Sequence, residues 1–343
     1  MNFEKKEKVQ LKWFLLLAFA LPYLLGILMG IGFYKGVDVS AFPNAQMYYP
    51  AAGVMLAALL AAGAGREESR ENPKLPKRFY CFFLVLTAGM ALLAAASIFV
   101  TQGTLVFVLI NVFHIAGSVT AWILLLMEKK DIRQANGLCW KCTKQSFLLI
   151  ALFVVLYGLR IVLSLWIDGS LGEWWKGYSS PVLLISGAVV LPINFFLTFA
   201  AFFGEEYGWR YYFAPLLQKH FGLRKGVLIL GILWGLWHLP INVFYYSPDT
   251  WMQSILAQQI TCISIGIFFS YAYMKTGNIW VPVVLHYLNN NLAALLNGGG
   301  ADALSNQVIG WGDLGWALLI NGAVFLPFLF AKEYRERKNE IQE

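Results

Sequence analysis

Apolar runs long enough to cross a bilayer recur along the whole of this sequence, and no other feature constrains its fold as strongly. A transmembrane helix needs about 20 predominantly apolar residues. Ten stretches approach or exceed that length, near residues 12–33, 45–63, 79–99, 104–127, 146–167, 181–204, 226–244, 252–274, 280–297 and 314–331. Hydrocarbon offers backbone groups no partners, so segments of this length must satisfy their own hydrogen bonds as helices. The sequence therefore predicts an all-α fold, a polytopic transmembrane helical bundle of about ten spans. Composition agrees: 59% of the 343 residues are hydrophobic and 13% are charged, against about 25% charged in soluble domains. The first run exceeds the roughly 7–15 residues of a signal-peptide core and has no small-x-small cleavage site after it, so it reads as a span.

Basic residues set the orientation. With the N terminus in the cytoplasm and ten alternating spans, both termini are cytoplasmic. In that arrangement 23 of the 26 Lys and Arg face the same side. Only Lys35 and Lys176 fall in outer loops, and Arg160 lies within a span. This is the positive-inside pattern. The net charge of +7 then faces anionic lipid headgroups, and it gives no argument for a nucleic-acid partner. The expected location is the bacterial cytoplasmic membrane, as a multi-pass integral protein. Trp174, Trp175, Trp251, Trp280 and Trp311 lie near predicted span ends and read as interface anchors.

Little chemistry comes from the cysteines. Cys81 and Cys262 sit in apolar runs and read as packing residues. Cys139 and Cys142 form one C-x-x-C, and a structural zinc site needs two further ligands. The polar stretches are a proline-containing loop at Gly65–Lys77, the segment Glu128–Gln145, and a tail from Lys332 that reads as a solvated helix. No internal repeat of useful length is visible.

Buried ionisable groups concentrate late in the chain. Glu205 and Glu206 end the apolar run that starts at Pro181. An ionisable group at such a depth costs roughly 2.5–3.5 kcal/mol on insertion scales and is a functional hypothesis by default. Glu206 and Arg210 are four apart on a helix and share a face, whereas Glu205 lies about 100° around. That arrangement assigns Glu205 as a base and Glu206 with Arg210 as its support. The bland alternative is that both glutamates sit in headgroup water. His238 lies inside the run 226–244, with Gly231 and Gly235 four apart before it and Pro240 just after. Small residues admit a neighbouring helix, and the proline loosens the backbone. A lone histidine there is otherwise a packing residue. His286 and Asn290 are again four apart, within His286-Tyr287-Leu288-Asn289-Asn290-Asn291. Neutral donors suit an oxyanion hole; interhelical hydrogen bonding accounts equally well for Asn289 and Asn291. A base beside a water, with donors for a developing oxyanion, meets the needs of hydrolysis.

Other intramembrane protease chemistries fit poorly. The sequence has no H-E-x-x-H and no G-x-S-G. Gly310-Trp311-Gly312-Asp313 matches G-x-G-D, but Asp313 falls in a predicted outer loop and no second aspartate lies in a span.

The strings EEYGWRYYFAPLLQKHFG, GILWGLWHLP and VPVVLHYLNNN resemble the three motifs of the CAAX protease and bacteriocin-processing family, also called the Abi or type II CAAX prenyl endopeptidase family. Glu205, Glu206 and Arg210 match E-E-x-x-x-R, Trp234 and His238 match F/W-x-x-x-H, and His286 and Asn290 match H-x-x-x-N. The resemblance implies that Glu205 and His238 activate a water, while His286 and Asn290 stabilise the oxyanion. It divides the chain into residues 1–180, whose role it leaves unassigned, a catalytic core at 181–298, and a last span with a basic tail at 299–343. Tyr211 departs from the family, where many members have glycine. The resemblance carries a metalloprotease label, and Glu205, His238 and His286 would supply a His2Glu set for a divalent metal such as Zn2+. A metal-free glutamate mechanism suits the same residues, and both readings stay open.

The expectation is therefore an intramembrane endopeptidase acting on a membrane-associated peptide or protein. The rivals are a non-catalytic immunity or scaffolding protein and a proton-coupled transporter. The transporter would be favoured by an internal repeat with broken helices. One conflict concerns depth: a span ending at residue 204 leaves Glu205 at the surface. Because Tyr211–Leu217 is itself apolar, the span is expected to continue to about Leu217 and bury Glu205. Lys219, Arg224 and Lys225 would then flank a cytoplasmic entrance, where they would attract acidic substrate or anionic lipid. In a cysteine-free background, a cysteine at position 219 should label from the cytoplasmic side and one at Ser179 from outside. Labelling of position 219 from outside alone would overturn this topology.

Overall fold

The computed structural model describes residues 5–64, 74–100, 103–178, 181–296 and 304–335. Among them there is no strand. Eight helices are long and apolar enough to cross a membrane. They are α1 (Glu7–Tyr34), α2 (Ala41–Ala62), α3 (Lys77–Ser97), α4 (Leu105–Met127), α5 (Thr143–Ile167), α6 (Val189–Phe221), α9 (Pro248–Thr276) and α11 (Trp311–Phe330). A further pair, α7 (Leu223–Trp237) and α8 (Leu239–Tyr246), meets at 41° and forms either a broken ninth span or a re-entrant loop. The helix α10 (Trp280–Leu296) has 17 residues, slightly under the usual spanning length. The ten apolar runs of the sequence each fall on one of these elements. The protein is a multi-pass integral membrane protein.

The sixth run is helical from Pro181 and continues past residue 204, as expected, through a π-helical stretch, Tyr207–Phe213, to Phe221. Tyr207, Trp209 and Phe213 are buried, so the apolar residues after the glutamates stay inside the bundle and carry Glu205 and Glu206 in with them. The break between α7 and α8 falls at His238, two residues before Pro240, where the lost proline N–H makes a straight helix costly.

Close helix contacts surround this region and rest on glycines. A Cβ on Gly204 would come within 2.9 Å of Tyr48 Cα, and one on Gly208 within 2.6 Å of the Pro50 carbonyl carbon. These glycines bring α6 onto α2. On α7, a Cβ on Gly231 would lie 2.7 Å from Ile263 Cα of α9, and Gly235 packs on Gln259, as the small-residue spacing predicts. The first span joins the same cluster. Gly26 and Gly30 meet Pro240 and Phe244 of α8, Tyr23 donates to the Leu236 carbonyl at 2.7 Å, and Phe14 and Phe19 pack edge-on against Trp209. Polar residues of the early spans make structural ties: His114 Nε2 lies 3.0 Å from the Thr198 carbonyl, and Arg160 donates to Asn321 at 3.4 Å.

Several smaller expectations change. Trp280 is no interface anchor: it is buried, stacks on Trp122, and donates Nε1 to the Leu138 carbonyl at 3.0 Å. Cys81 is exposed, whereas Cys262 is buried as expected, and all four cysteines are free thiols. The tail begins as a short 3-10 turn, Lys332–Tyr334. Tyr334 is buried and bonds the Ile267 carbonyl, so this side chain packs into the bundle while Lys332 and Arg335 stay exposed; the tail beyond residue 335 and loop residues 65–73 lie outside the described residues. Asp313 accepts from the Gly310 N–H at 2.7 Å and so caps α11.

If the α2–α6 contact is as tight as these distances imply, Gly208→Ala should destabilise the detergent-solubilised protein by about 1–3 kcal/mol, the usual cost of overpacking. Gly315→Ala, whose Cβ would meet nothing within 4 Å, should be near neutral. Equal thermal midpoints for the two variants would refute the packing argument.

Candidate active site

Three helices bring the motif residues together. Glu205, Glu206 and Arg210 come from α6, His238 from the α7–α8 break and His286 from α10. All five are buried, with relative exposures of 2%, 0%, 0%, 6% and 4% respectively. Uncompensated, charges at this depth would be prohibitive, so their contacts with one another decide whether the fold is possible.

Glu206 supplies most of that compensation. Its Oε1 lies 2.8 Å from His286 Nδ1, and its Oε2 lies 3.2 Å from Arg210 Nε. The second contact is an ion pair without hydrogen-bond alignment, because neither atom has a hydrogen-bond partner. Arg210 Nη1 and Nη2 are also without hydrogen bonds. The guanidinium plane lies instead over the Trp234 ring at 4.3 Å and the Phe269 ring at 5.3 Å, an attraction that strengthens away from water. The sequence spacing anticipated the pairing of Glu206 with Arg210. It gave no sign that Glu206 also fixes His286.

Trp234 is the second organising residue. Its indole Nε1 donates to Glu205 Oε2 at 2.9 Å. Its main-chain carbonyl lies 2.8 Å from His238 Nδ1, which makes that nitrogen the N–H donor. Its ring stands 5.5 Å from the His286 ring, nearly perpendicular, and 6.0 Å from the His238 ring. Glu205 therefore has one carboxylate oxygen held and the other without a described partner. Each histidine likewise has Nδ1 engaged and Nε2 turned away from that bond.

The asparagines divide into two roles. Asn291 accepts from Asn194 of α6 at 3.4 Å and donates to its own helix, which is interhelical bonding. Asn289 donates to Asn290 Oδ1 at 3.0 Å. Asn290 is partly buried, and with its oxygen taken, its amide N–H2 is left as a donor one turn beyond His286. No described contact links Asn290 directly to the other motif residues.

Supporting residues outside the motifs were missed in the sequence. Asn242 donates to the His238 carbonyl at 2.9 Å and accepts from Ser254 at 2.7 Å. Gln46 of α2 donates to the Trp237 carbonyl at 2.9 Å. Cys262 Sγ lies 3.9 Å from His238 Nδ1. A polar residue inside an apolar run was the available signal for Gln46 and Asn242; Cys262 gave none. Lys219 Nζ contacts Glu7 Oε1 at 2.6 Å and so ties α1 to α6.

The donor types of Glu205, His238 and His286 suit a divalent cation. Among the described residues, however, no three His, Cys, Asp or Glu side chains are placed to hold one ion. No step below runs through a metal.

Comparison with known proteins locates the same region. Residues 187–292 match the family model described as type II CAAX prenyl endopeptidase Rce1-like. This interval contains all three motifs. This segment is similar to the type II CAAX prenyl endopeptidases. Over 107 residues the chain is 34% identical to CAAX prenyl protease 2 of Methanococcus maripaludis, a match covering 29% of this chain and 39% of that relative. No solved structure matches. The matched segment spans α6 to α10, while α1 and α2, which wall it on one side, lie before it.

Removing Arg210 should expose how the buried charges depend on one another. Arg210→Ala leaves Glu206 without its counter-ion, and breaking a buried pair in this way typically costs about 3–5 kcal/mol. Thermal unfolding in detergent should show a much larger loss for Arg210→Ala than for Glu205→Ala. A parent-like midpoint for Arg210→Ala would show that the pair does not hold the bundle together.

Proposed function

We propose that this protein is an intramembrane endopeptidase that hydrolyses a membrane-associated peptide by direct water attack. The observation that carries this reading is the division of the two adjacent glutamates. Glu206 is committed to Arg210 and His286, while Glu205 is held at only one oxygen, by Trp234. Glu206 is thus held by two partners, whereas Glu205 keeps one oxygen without a described partner; Trp234, which holds Glu205, also bonds His238 through its main-chain carbonyl and packs against the His286 ring. The match to CAAX proteases supports the same reaction class.

In the proposed reaction, water lies between the free oxygen of Glu205 and Nε2 of His238. Glu205 takes a proton as the water oxygen bonds to the peptide carbonyl carbon. The resulting oxyanion accepts from Nε2–H of His286, held as an imidazolium with its Nδ1–H on Glu206, and from the amide of Asn290, which Asn289 has oriented. Collapse breaks the C–N bond, and the proton on Glu205 passes to the departing amine. No acyl-enzyme forms, because the nucleophile is water. Burial strengthens each of these electrostatic contacts relative to water. By analogy with the named relative, the substrate class would be proteins ending in a prenylated cysteine and a short C-terminal extension. Entry from the cytoplasmic leaflet follows if the basic loops mark that side.

A rival non-catalytic role has no corresponding use for a half-free buried Glu205. The deciding assay is cleavage of a prenylated C-terminal peptide by the purified protein in lipid vesicles. Glu205→Gln and His238→Ala should abolish turnover while leaving a folded protein. Asn290→Ala should lower the rate on the order of 10²–10³-fold, as loss of one oxyanion donor does. Full activity in Glu205→Gln would eliminate the assigned base.

A further inference from the structure

A cavity of about 260 Å³ lies apart from the motif cluster, between α4, α6, α10 and the segment that follows α4. Its walls are mainly aromatic and aliphatic, with Trp122, Phe195, Trp280 and Trp140 among them. Leu126 and Phe196 also line it and are 69% and 56% exposed on the outer face of the bundle. The cavity therefore adjoins surface that faces lipid.

Two polar atoms in this apolar setting lack partners. Trp122 Nε1 and Arg133 Nε are both buried without a hydrogen bond, and both residues line the cavity. Indole and guanidinium groups are donors only, so a ligand that satisfies them must bring acceptors. One of the two donors is also a permanent cation. The surrounding segment, Glu128–Gln145, adds Lys129, Lys130, Lys141 and Lys144 against Glu128 and Asp131. Trp140 is 40% exposed, as expected for a side chain at the headgroup level. The volume is just below the roughly 300–1,000 Å³ of sites that enclose a small ligand, which suits part of a chain and its polar linkage.

We propose that this cavity is a binding site for an anionic phospholipid of the surrounding bilayer. One acyl chain lies against Trp122 and Phe195, and ester or phosphate oxygens accept hydrogen bonds from Trp122 Nε1 and Arg133. Because Trp280 belongs to α10, the bound lipid would brace the helix that carries His286. The inference does not depend on the protein being a peptidase.

The test compares thermal midpoints of the full-length protein in detergent with phosphatidylglycerol, with phosphatidylcholine of the same chains, and with inorganic phosphate. Lipid retention is read in parallel by native mass spectrometry. Phosphatidylglycerol should raise the midpoint by roughly 2–4 °C or more and remain as a single retained lipid. Phosphatidylcholine and phosphate should do neither. Arg133→Gln should lose the shift and the retained lipid, whereas Lys144→Gln, at an exposed position of the same segment, should keep both. The proposal is overturned if phosphatidylcholine acts equally, if phosphate alone reproduces the shift, or if Arg133→Gln responds like the parent.

Discussion

The bundle depends on a carboxylate that cannot stand alone. Glu206 is fully buried and meets Arg210 within its own helix and His286 on α10. Without those contacts a charge at that depth would cost several kcal/mol. The requirement fixes how α6 and α10 approach, and it draws α7 in through Trp234, which covers the guanidinium and holds Glu205. The candidate chemistry thus stands on an electrostatic arrangement that the fold needs for its own sake.

Packing around this arrangement leaves little room for adjustment. Gly204 and Gly208 press α6 onto α2, and Gly231 and Gly235 press α7 onto α9. In a bilayer, helix association draws on van der Waals contact and interhelical hydrogen bonds rather than on exclusion of water. Backbone-to-backbone approach at glycines is therefore one of the few strong sources of rigidity. A site of the hydrolytic kind proposed, placing one water against one carbonyl, would benefit directly, since small errors in position are expensive in rate.

Much of this was legible in the sequence, for reasons that differ by element. The spans were visible because hydrocarbon imposes a length and a polarity that composition reports directly. The Glu206–Arg210 pair was visible because a four-residue spacing is a local geometric fact. The extent of α6 was legible past residue 204 because Tyr211–Leu217 is itself apolar, although what neutralises the two glutamates was not. Likewise, Glu206 meeting His286, and Trp234 meeting Glu205, are contacts between residues 80 and 29 apart in the chain respectively. No periodicity in one helix encodes them. Trp280 was misread for the same reason: a tryptophan near a span end looks like an anchor until its partner, the Leu138 carbonyl, is seen.

The π-helical stretch Tyr207–Phe213 has a consequence for how this helix can change in length. A π turn closes i→i+5 and holds one residue more than an α turn would. Deleting a single residue there would let the stretch relax into ordinary α-helix, which is locally favourable. Because the bulge already absorbs that surplus residue, the same deletion would leave the helix upstream and downstream in nearly its present phase. The change would be local: Gly208, Trp209 and Arg210 lie within the stretch, so their approach to α2, to Phe14 and to Glu206 depends on the bulge. A change of count in the regular helix on either side would instead turn one part against the other by about 100°.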